Sequence, residues 1–526
     1  MDILIKNVKI IDGTGKRAYF GDVGISKGKI RLLDLSEKAE LVIDGKGKYL
    51  TPGFIDAHSH GDMTVGTNLE YGDLCKINQG VTTQVMGQCG DTQAPYGPKR
   101  NAAILPEGMG EDFLEKQKTW TKFSKYLDFV DSLPKVTNHK FLIGHNAIRI
   151  SVMGYEDRAP TAEELEKMKA LVRDAMENGA CGLSSGLGYV PGTYSDIDEI
   201  TELVKELKPY GGIYTTHIRN ESKHLLSSLE EAIEVGRRTG VAVHISHIKA
   251  RGIRNWGKHT AALELIENAH KEGLDVTCDQ YPYNSTMTFL APCIPNWYFT
   301  DGMEKVIELL KEPSQREKIR KEMEDPDTDY ENLLLNAGDW SRIRICNSPN
   351  VPQAEGMTMS DYAKSVNKDP FEAYFDMMIE NKGLGTAVYH SISDDDILDI
   401  IKKPYVMVGS DGIVLASKEK CHPRGWGTSV RAICHFCKEK KVLSLEEAVY
   451  KMTAFPAKRY SLKGKGMISE GYDADLVLLD YENLEDRATY SSPFELAKGI
   501  EMVFVNGKLS YKDGALTGEK AGSLIR

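Results

Sequence analysis

The stretch PGFIDAHSH, residues 52–60, places two histidines directly after a short apolar run. His58 and His60 are two residues apart, and residues at that spacing on a β-strand point to the same face. Two imidazoles on one face at a strand end can bind a single metal ion. Because the pair alone is a weak motif, the rest of the chain decides whether it has this role.

The composition is that of an ordinary globular chain with an acidic balance. Of its 526 residues, 41% are hydrophobic and 27% are charged, which argues against disorder. A net charge of -11 makes nucleic acid and anionic membranes poor partners. We see no signal peptide and no apolar run long enough to span a membrane. Together with an odd number of cysteines, nine, this predicts reduced thiols and a cytoplasmic protein.

The two ends of the chain share an alternating pattern. Residues 3–10 (ILIKNVKI) and 501–511 (EMVFVNGKLSY) alternate apolar and polar side chains, and Asn506-Gly507 is a hairpin signal. The pattern predicts short antiparallel strands. Because neither end can bury much apolar surface alone, we predict that residues 1–52 plus 465–526 form one small β-sandwich domain.

The segment between the ends, residues 53–464, alternates apolar strand-like runs with amphipathic helical patterns. This alternation favours a parallel sheet covered by helices, and its length favours a closed (β/α)8 TIM-like barrel. The eight predicted strands are 54–58, 81–87, 140–145, 181–185, 212–217, 242–247, 274–280 and 405–411. Two further strand candidates, 342–346 and 386–390, are more than the eight strand positions of the barrel can hold. We expect an insertion around 290–340.

Reactive side chains follow the ends of several of these strands. The first ends in His58-Ser59-His60, Cys89 follows the second, the fifth and sixth end in His217 and His247, and Asp411 ends the eighth. In a β/α barrel the carboxyl ends of the strands meet on one face. Four of the 13 histidines at such positions are not expected by chance. Nitrogen and sulfur donors of this kind suit Zn²⁺.

These residues lie in motifs that resemble the amidohydrolase superfamily, and within it the D-aminoacylase, or N-acyl-D-amino-acid deacylase, family. PGFIDAHSH is similar to the superfamily's first-strand signature. GVTTQVMGQCG (80–90) is more specific, because that family has a metal-binding cysteine after the second strand. Further matches, in family order, are SSGLGYVPG (184–192), THIRNE (216–221), SHIKARGIRNWG (246–257), DQYPYNS (279–285), GSDG (409–412), HPRGWGT (422–428), LSLEEAVYKMTAFPA (443–457) and GYDADLVLLD (471–480).

The resemblance implies a role for each matching residue. Cys89, His217 and His247 would bind one zinc ion tightly, and His58 and His60, with Cys89 bridging, would hold a second ion weakly. The other implied roles are catalysis for Asp411, contact with the scissile carbonyl for Tyr189, and substrate binding for Lys249, Tyr283, Ser285 and Arg424. Ile248 departs from the family, which commonly has a second histidine there, and this could alter the weaker site.

The chemistry of these residue types is that of amide hydrolysis. Zinc activates water and polarises a carbonyl, and a carboxylate can pass the proton of the water to the leaving amine. We therefore expect a zinc-dependent amidohydrolase that removes the N-acyl group from N-acyl-D-amino acids, which are small molecules. The preference for D-substrates is implied by the resemblance alone.

Three alternatives stay open at this point. A cyclic-amide hydrolase of the dihydroorotase or hydantoinase type would need a carbamylated lysine, and a dipeptidase would share the fold. A metal-free structural homologue is the remote third alternative. Met287, Phe289 and Leu290 favour apolar substrate side chains, whereas Arg251 or Arg254 could receive an acidic one. The sequence predicts neither an oligomeric state nor a role for the CxxC pair Cys434 and Cys437.

Overall fold

The computed structural model describes residues 1–33, 35, 38–66, 71–98, 111–413 and 422–526. Within these ranges, no helix is long and apolar enough to cross a membrane.

The N-terminal strands form half of a nine-stranded sheet. They are β1 (Ile3–Ile10), β2 (Tyr19–Ser26), β3 (Lys29–Arg31), β4 (Leu41–Asp44) and β5 (Tyr49–Pro52). Lys27 and Gly28, with φ of 51° and 75°, make the tight turn between β2 and β3, which pair antiparallel. The alternating apolar residues of β1, such as Ile5 and Val8, are fully buried in the core of this sheet.

The described residues of the middle of the chain contribute twelve strands. They are β6 (Phe54–Asp56), β7 (Val81–Met86), β8 (Asn138–Phe141), β9 (Ile143–Gly144), β10 (Gly182–Gly186), β11 (Ile213–His217), β12 (Ala242–Ile245), β13 (Val276–Gln280), β14 (Thr286–Phe289), β15 (Ile343–Asn347), β16 (Thr386–Tyr389) and β17 (Val406–Val408).

Nine of these twelve strands build the barrel predicted from the sequence. β6, β7 and β8 pair in parallel, as do β9 to β13 and β17. β8 and β9 are two halves of one strand interrupted at Leu142, so the barrel has eight strand positions. A parallel bridge between Ser59 and Gly412 joins the first position to the last. The (β/α)8 fold class is thus confirmed.

The two surplus strand candidates belong to a separate antiparallel sheet. β16 pairs with β14 on one side and β15 on the other. A hydrophobic cluster distinct from the barrel core extends from Leu290 to Tyr389 around this sheet. Short β-strands of this kind look alike in sequence whether they are parallel or antiparallel, which is why the sequence offered more candidates than barrel positions.

The C-terminal strands complete the sheet that the N-terminus begins. They are β18 (Leu476–Leu479), β19 (Ile500–Val505), β20 (Lys508–Lys512) and β21 (Ala515–Leu516). β18 pairs antiparallel with β5, so both chain ends share one β-sandwich-like sheet, as predicted. The exact domain boundaries stay a prediction.

Helices of two sets accompany the sheets. Those around the barrel are α1 (Tyr71–Ile77), α2 (Glu111–Gln117), α3 (Phe123–Ser132), α4 (His145–Val152), α5 (Ala162–Glu177), α6 (Ile197–Lys205), α7 (Leu225–Thr239), α8 (His259–Lys271), α14 (Asp394–Ile401), α15 (Arg424–Arg431), α16 (Leu445–Met452) and α17 (Ala454–Arg459). Those that pack in the cluster around the antiparallel sheet are α9 (Met303–Leu310), α10 (Pro313–Glu324), α11 (Leu333–Ala337), α12 (Met359–Ser365) and α13 (Pro370–Glu380). A π-helical segment, Ala432–Glu439, follows α15.

A buried ion pair holds the barrel closed beneath the rim. Lys76 of α1 places Nζ 2.7 Å from Asp56 Oδ2 at the end of β6. The hydroxyl of Ser410, beyond β17, donates to the same oxygen at 2.6 Å, and its backbone N–H donates to Asp56 Oδ1 at 2.9 Å. Asp56 thus ties the first strand to the last.

Replacing Lys76 with Met should lower the free energy of unfolding by about 3 kcal/mol, because it leaves the buried Asp56 charge without its cation. Chemical denaturation followed by circular dichroism measures the change. The control is Lys118→Met, which removes the exposed Lys118–Glu115 pair and should leave the denaturation midpoint unchanged. Equal effects of the two substitutions would contradict this account.

Candidate metal centre and active site

Six side chains from five barrel strands converge at the carboxyl rim. His58 and His60 follow β6, Cys89 follows β7, His217 ends β11, His247 follows β12 and Asp411 follows β17. Five of the six are buried, and His60 is partly exposed. The structure therefore brings together all the metal-ligand candidates predicted from the sequence, together with the catalytic candidate.

Three of these residues have a left-handed backbone. Cys89, His247 and Asp411 have φ of 53°, 35° and 49°. This conformation costs a non-glycine residue roughly 1–2 kcal/mol, and it persists where surrounding contacts hold it. Two such contacts are hydrogen bonds. The backbone N–H of Asp411 donates to the His58 carbonyl at 2.8 Å, and the backbone N–H of His247 donates to Asp279 Oδ1 at 3.0 Å. The left-handed backbone at these three residues turns each side chain away from the direction of its strand at the rim of the barrel.

The ligand atoms form two groups that share one thiol. In the first, Cys89, His217 and His247 have ligand atoms within 4.8 Å of one another. His217 Nδ1 is 2.9 Å and Cys89 Sγ is 3.5 Å from His247 Nε2. In the second, His58, His60, Cys89 and Asp411 meet the same criterion. His58 Nε2 is 3.4 Å from Cys89 Sγ. Cys89 stands where it can bridge two ions.

The donor set fits zinc. Burial by itself would raise the pKa of the Cys89 thiol, but the imidazoles of His58, His247 and His217 hold this pKa well below its usual value. A thiolate among imidazoles is a typical zinc ligand set, because zinc accepts sulfur and nitrogen donors together. The first group would hold a zinc ion with three protein ligands, which leaves a coordination position open for water or substrate.

Two buried carboxylates that the sequence reasoning did not single out stand behind the imidazoles. Asp279 Oδ2 is 3.1 Å from His58 Nδ1 and 2.8 Å from His244 Nε2. Glu221 Oε1 is 2.9 Å from His247 Nδ1, and its Oε2 is 3.9 Å from His217 Nε2. Asp279 lies in the motif DQYPYNS and Glu221 in the motif THIRNE. No rule of residue spacing identifies either carboxylate as a partner of a metal-binding histidine.

Glu221 belongs to a buried cluster of charges. Lys249 Nζ pairs with Glu221 and lies 2.8 Å from His247 Nδ1. Arg251 pairs with Glu221 at 2.6 Å and with Glu331 at 3.3 Å. The pKa of Glu221 is well below its usual range because these cations outweigh the effect of burial. His217, Glu221 and Glu331 also lie close enough for a metal, but Glu221 is already neutralised by two cations.

Asp411 faces the metal groups on one side and a cation on the other. Its Oδ1 is 3.1 Å from His60 Nε2 and 3.4 Å from His58 Nε2, and its Oδ2 is 2.6 Å from Arg424 Nη1. Burial alone would raise the pKa of this carboxyl, but Arg424 and His247 hold it well below its usual range. Asp411 is thus an ionised carboxylate beside the thiolate.

Two tyrosines, Tyr189 and Tyr281, occupy different parts of this region. The ring of Tyr189 packs 4.6 Å from that of His217, and its hydroxyl is 3.3 Å from Thr288 Oγ1. Tyr281, which we did not predict, lies between two cations: the Arg424 guanidinium is 4.9 Å and Lys249 Nζ 5.7 Å from its ring centre. Its buried hydroxyl has no hydrogen-bond partner among the described residues.

Two predicted substrate residues face away from these cations. Tyr283 packs against Arg431, at 4.9 Å from its ring centre, and against the rings of His422 and Tyr490. Ser285 Oγ lies 2.7 Å from His390 Nδ1. Within the DQYPYNS segment, Tyr281 is thus the tyrosine near Arg424 and Lys249, and the substrate role of Tyr283 and Ser285 stays a prediction.

A parallel barrel with these donors at its carboxyl rim defines the class: a metal-dependent hydrolase. The amidohydrolase family model matches residues 41–301 and 373–511. The chain belongs to the amidohydrolase family.

Individual relatives refine the comparison. The chain is 33% identical to D-aminoacylase of Alcaligenes xylosoxydans xylosoxydans over 530 residues, covering 100% of this chain and 97% of that protein. It is similar, with a TM-score of 0.83 and 30% identity, to the crystal structure of N-acyl-D-glutamate deacylase from Bordetella bronchiseptica with zinc and a phosphonate inhibitor, covering 100% and 99%. A D-hydantoinase structure, at 16% identity and a TM-score of 0.58, covers 100% and 98% and shares the fold alone.

Metal stoichiometry tests the division into two groups. Cys89→Ala should abolish tight zinc binding, because it removes a donor from both groups. His58→Ala with His60→Ala should leave about one zinc per chain, since Cys89, His217 and His247 remain. Equilibrium dialysis with elemental analysis measures both, and His224→Ala, which removes a histidine paired with Asp329 outside both groups, is the control. Loss of all metal from the double variant would contradict the division.

Proposed function

We propose that the protein is a zinc-dependent hydrolase that removes the N-acyl group from N-acyl-D-amino acids. The observation that carries this proposal is the Cys89 thiolate shared by two metal groups, with the ionised Asp411 3.1 Å from His60. The full-length similarity to D-aminoacylase supports the same conclusion.

The metal would occupy the Cys89, His217 and His247 group, with a second, weaker position at His58, His60, Cys89 and Asp411. Zinc bound there would supply Lewis acidity toward the amide carbonyl and toward the attacking water. The residues of the chain must then bind the substrate and move the protons.

Asp411 is the proposed proton carrier. Arg424 binds its Oδ2, which leaves Oδ1, on the side of His58 and His60, to accept a proton from the attacking water. The same carboxyl then donates the proton to the nitrogen, because an amide nitrogen leaves only when it is protonated. Tyr189, packed on His217, is placed to donate its hydroxyl hydrogen to the carbonyl oxygen as negative charge develops there.

We assign the α-carboxylate of the substrate to the space between Arg424, Lys249 and Tyr281. Both buried cations lie near the ring of Tyr281, whose hydroxyl has no hydrogen-bond partner within the part of the chain that the structure describes, and a carboxylate would complete this set. Arg424 has five N–H donors and can bind Asp411 and a substrate carboxylate together. Lys249 keeps its predicted role, although in this structure it is paired with Glu221.

Apolar substrate side chains are favoured over acidic ones. Arg251 is buried and neutralised by Glu221 and Glu331, so it is not free to bind a second carboxylate. Arg254 lies exposed in the short 3-10 helix Ile253–Asn255. Met287 and Leu290 are buried, whereas Phe289 is 40% exposed. Phe289 therefore offers apolar surface at the end of β14, whereas Met287 and Leu290 pack inside hydrophobic clusters.

A cyclic-amide hydrolase with a carbamylated lysine is the weaker alternative. A carbamate needs an amine that is free to react, and Lys76 and Lys249, two buried lysines near the site, are each paired with a carboxylate, Asp56 and Glu221. We further propose a reducing, cytoplasmic setting, since Cys89 must stay a free thiol to bind metal.

The decisive experiment is a substrate panel with both enantiomers. Zinc-loaded protein should release amino acid from N-acetyl-D-leucine and N-acetyl-D-phenylalanine far faster than from their L-forms or from N-acetyl-D-glutamate. Asp411→Asn is the matched control and should retain the tight zinc while losing about 10²–10⁴-fold in kcat. Stoichiometric zinc without any turnover of D-substrates would refute the function, and faster turnover of the D-glutamate substrate would refute the apolar preference.

A pair of tyrosine variants tests the carboxylate site. Tyr281→Phe should raise KM about tenfold, because it removes a hydrogen bond to a charged group. Tyr283→Phe removes an equally buried hydroxyl from a ring that packs against Arg431 and should leave KM unchanged. Steady-state kinetics on one N-acyl-D-amino acid measures both, and a larger effect at Tyr283 would reverse the assignment.

A further inference from the structure

Asp279, the fourth residue of β13, contacts one histidine of each metal-ligand group and belongs to neither group. The side chain is fully buried. Its Oδ2 lies 3.1 Å from His58 Nδ1 and 2.8 Å from His244 Nε2, and its Oδ1 accepts the backbone N–H of His247 at 3.0 Å. These three neighbours account for both oxygens of the buried carboxyl group.

The contact with Asp279 decides which nitrogen of His58 is available to a metal. A carboxylate accepts hydrogen bonds and donates none, so Nδ1 of His58 must carry a hydrogen. In a neutral imidazole the lone pair is then on Nε2. That atom lies 3.4 Å from Cys89 Sγ and 3.4 Å from Asp411 Oδ1, within the second group. The contact with Asp279 thus leaves Nε2 as the nitrogen of His58 that faces the second metal position.

The imidazoles of the first group depend on a different carboxylate. Glu221 lies 2.9 Å from His247 Nδ1 and 3.9 Å from His217 Nε2, on the side of each ring away from the shared thiol. Asp279 touches His247 only through the backbone. The side-chain orientations of the two groups can therefore be disturbed separately.

We propose that Asp279 is a positioning residue for the second metal position, where it sets the tautomer and orientation of His58. The inference rests on the metal-dependent function proposed above. It assigns Glu221 to the first position by the same geometry, so that each metal position has its own buried carboxylate. Such partners of metal-binding histidines typically contribute 10- to 100-fold in metal affinity.

Asp279→Asn is an informative substitution because the two side chains have the same shape. The amide oxygen can still accept from the His247 backbone, but the NH₂ group then faces His58 Nδ1 and His244 Nε2. To accept from that NH₂ group, His58 must move its hydrogen to Nε2, and a protonated Nε2 cannot bind a metal ion. The variant should therefore disable His58 and leave the first group in place.

The experiment measures two zinc dissociation constants by competition with a chromophoric chelator on metal-stripped, full-length protein. In Asp279→Asn the constant for the second ion should rise about 10- to 100-fold, and that for the first should be unchanged. Thr277→Val is the matched control. It removes the 2.8 Å contact between Thr277 Oγ1 and His244 Nδ1, which belongs to the same buried series of hydrogen bonds, and it leaves His58 untouched. Neither zinc dissociation constant should change.

Two results would overturn the proposal: an unchanged second constant in the folded variant, or an equal weakening of both constants. If the variant does not fold, the wild-type protein still tests the idea. With ¹⁵N-labelled histidine, the metal-free protein should show His58 hydrogenated at Nδ1, and a ring whose single hydrogen is on Nε2 would refute the proposal. Neither measurement uses a substrate, so failure of the proposed deacylase activity is seen separately in the substrate panel.

Discussion

The buried thiolate of Cys89 is the charge around which the site is organised. An anion removed from water is costly unless neighbouring groups compensate it. Here the compensation comes from imidazoles on three other strands, with His58 Nε2 and His247 Nε2 at 3.4 and 3.5 Å from the sulfur. Those imidazoles are supported in turn by Asp279 and Glu221, and Glu221 by Lys249 and Arg251. Imidazoles, carboxylates and cations thus follow one another outward from the sulfur, and a bound zinc ion would replace the protons on the imidazole nitrogens that face it.

Such a centre is possible only because the barrel closes. The donors come from residues as far apart in the chain as His58 and Asp411, which become neighbours where the first and last strands meet. Asp56, Lys76 and Ser410 hold that junction from below, and the Asp411 N–H bonds directly to the His58 carbonyl above it. The left-handed backbone at Cys89, His247 and Asp411 then directs these side chains toward one another. Local strain is accepted here because the closed barrel enforces it.

Sequence reasoning succeeded where a rule of spacing or position applies. Strand periodicity and the strand-end rule placed His58, His60, Cys89, His217, His247 and Asp411 on one rim, and the structure has them there. It left undecided what depends on tertiary contacts. β15 and β16 have the apolar pattern of barrel strands but pair antiparallel outside the barrel. Tyr281, not Tyr283, lies between the two cations.

The sequence by itself determined the chemistry at the strand ends, because residue type and periodicity are local properties. The pair His58 and His60, the cysteine after the second strand and the aspartate after the eighth were all visible in it. Only the tertiary structure decided which groups touch. It made Cys89 common to two ligand groups, and it placed Asp279 and Glu221 behind separate imidazoles. No pattern along the chain encodes those contacts, since each joins residues whose proximity arises when parallel strands align their carboxyl ends.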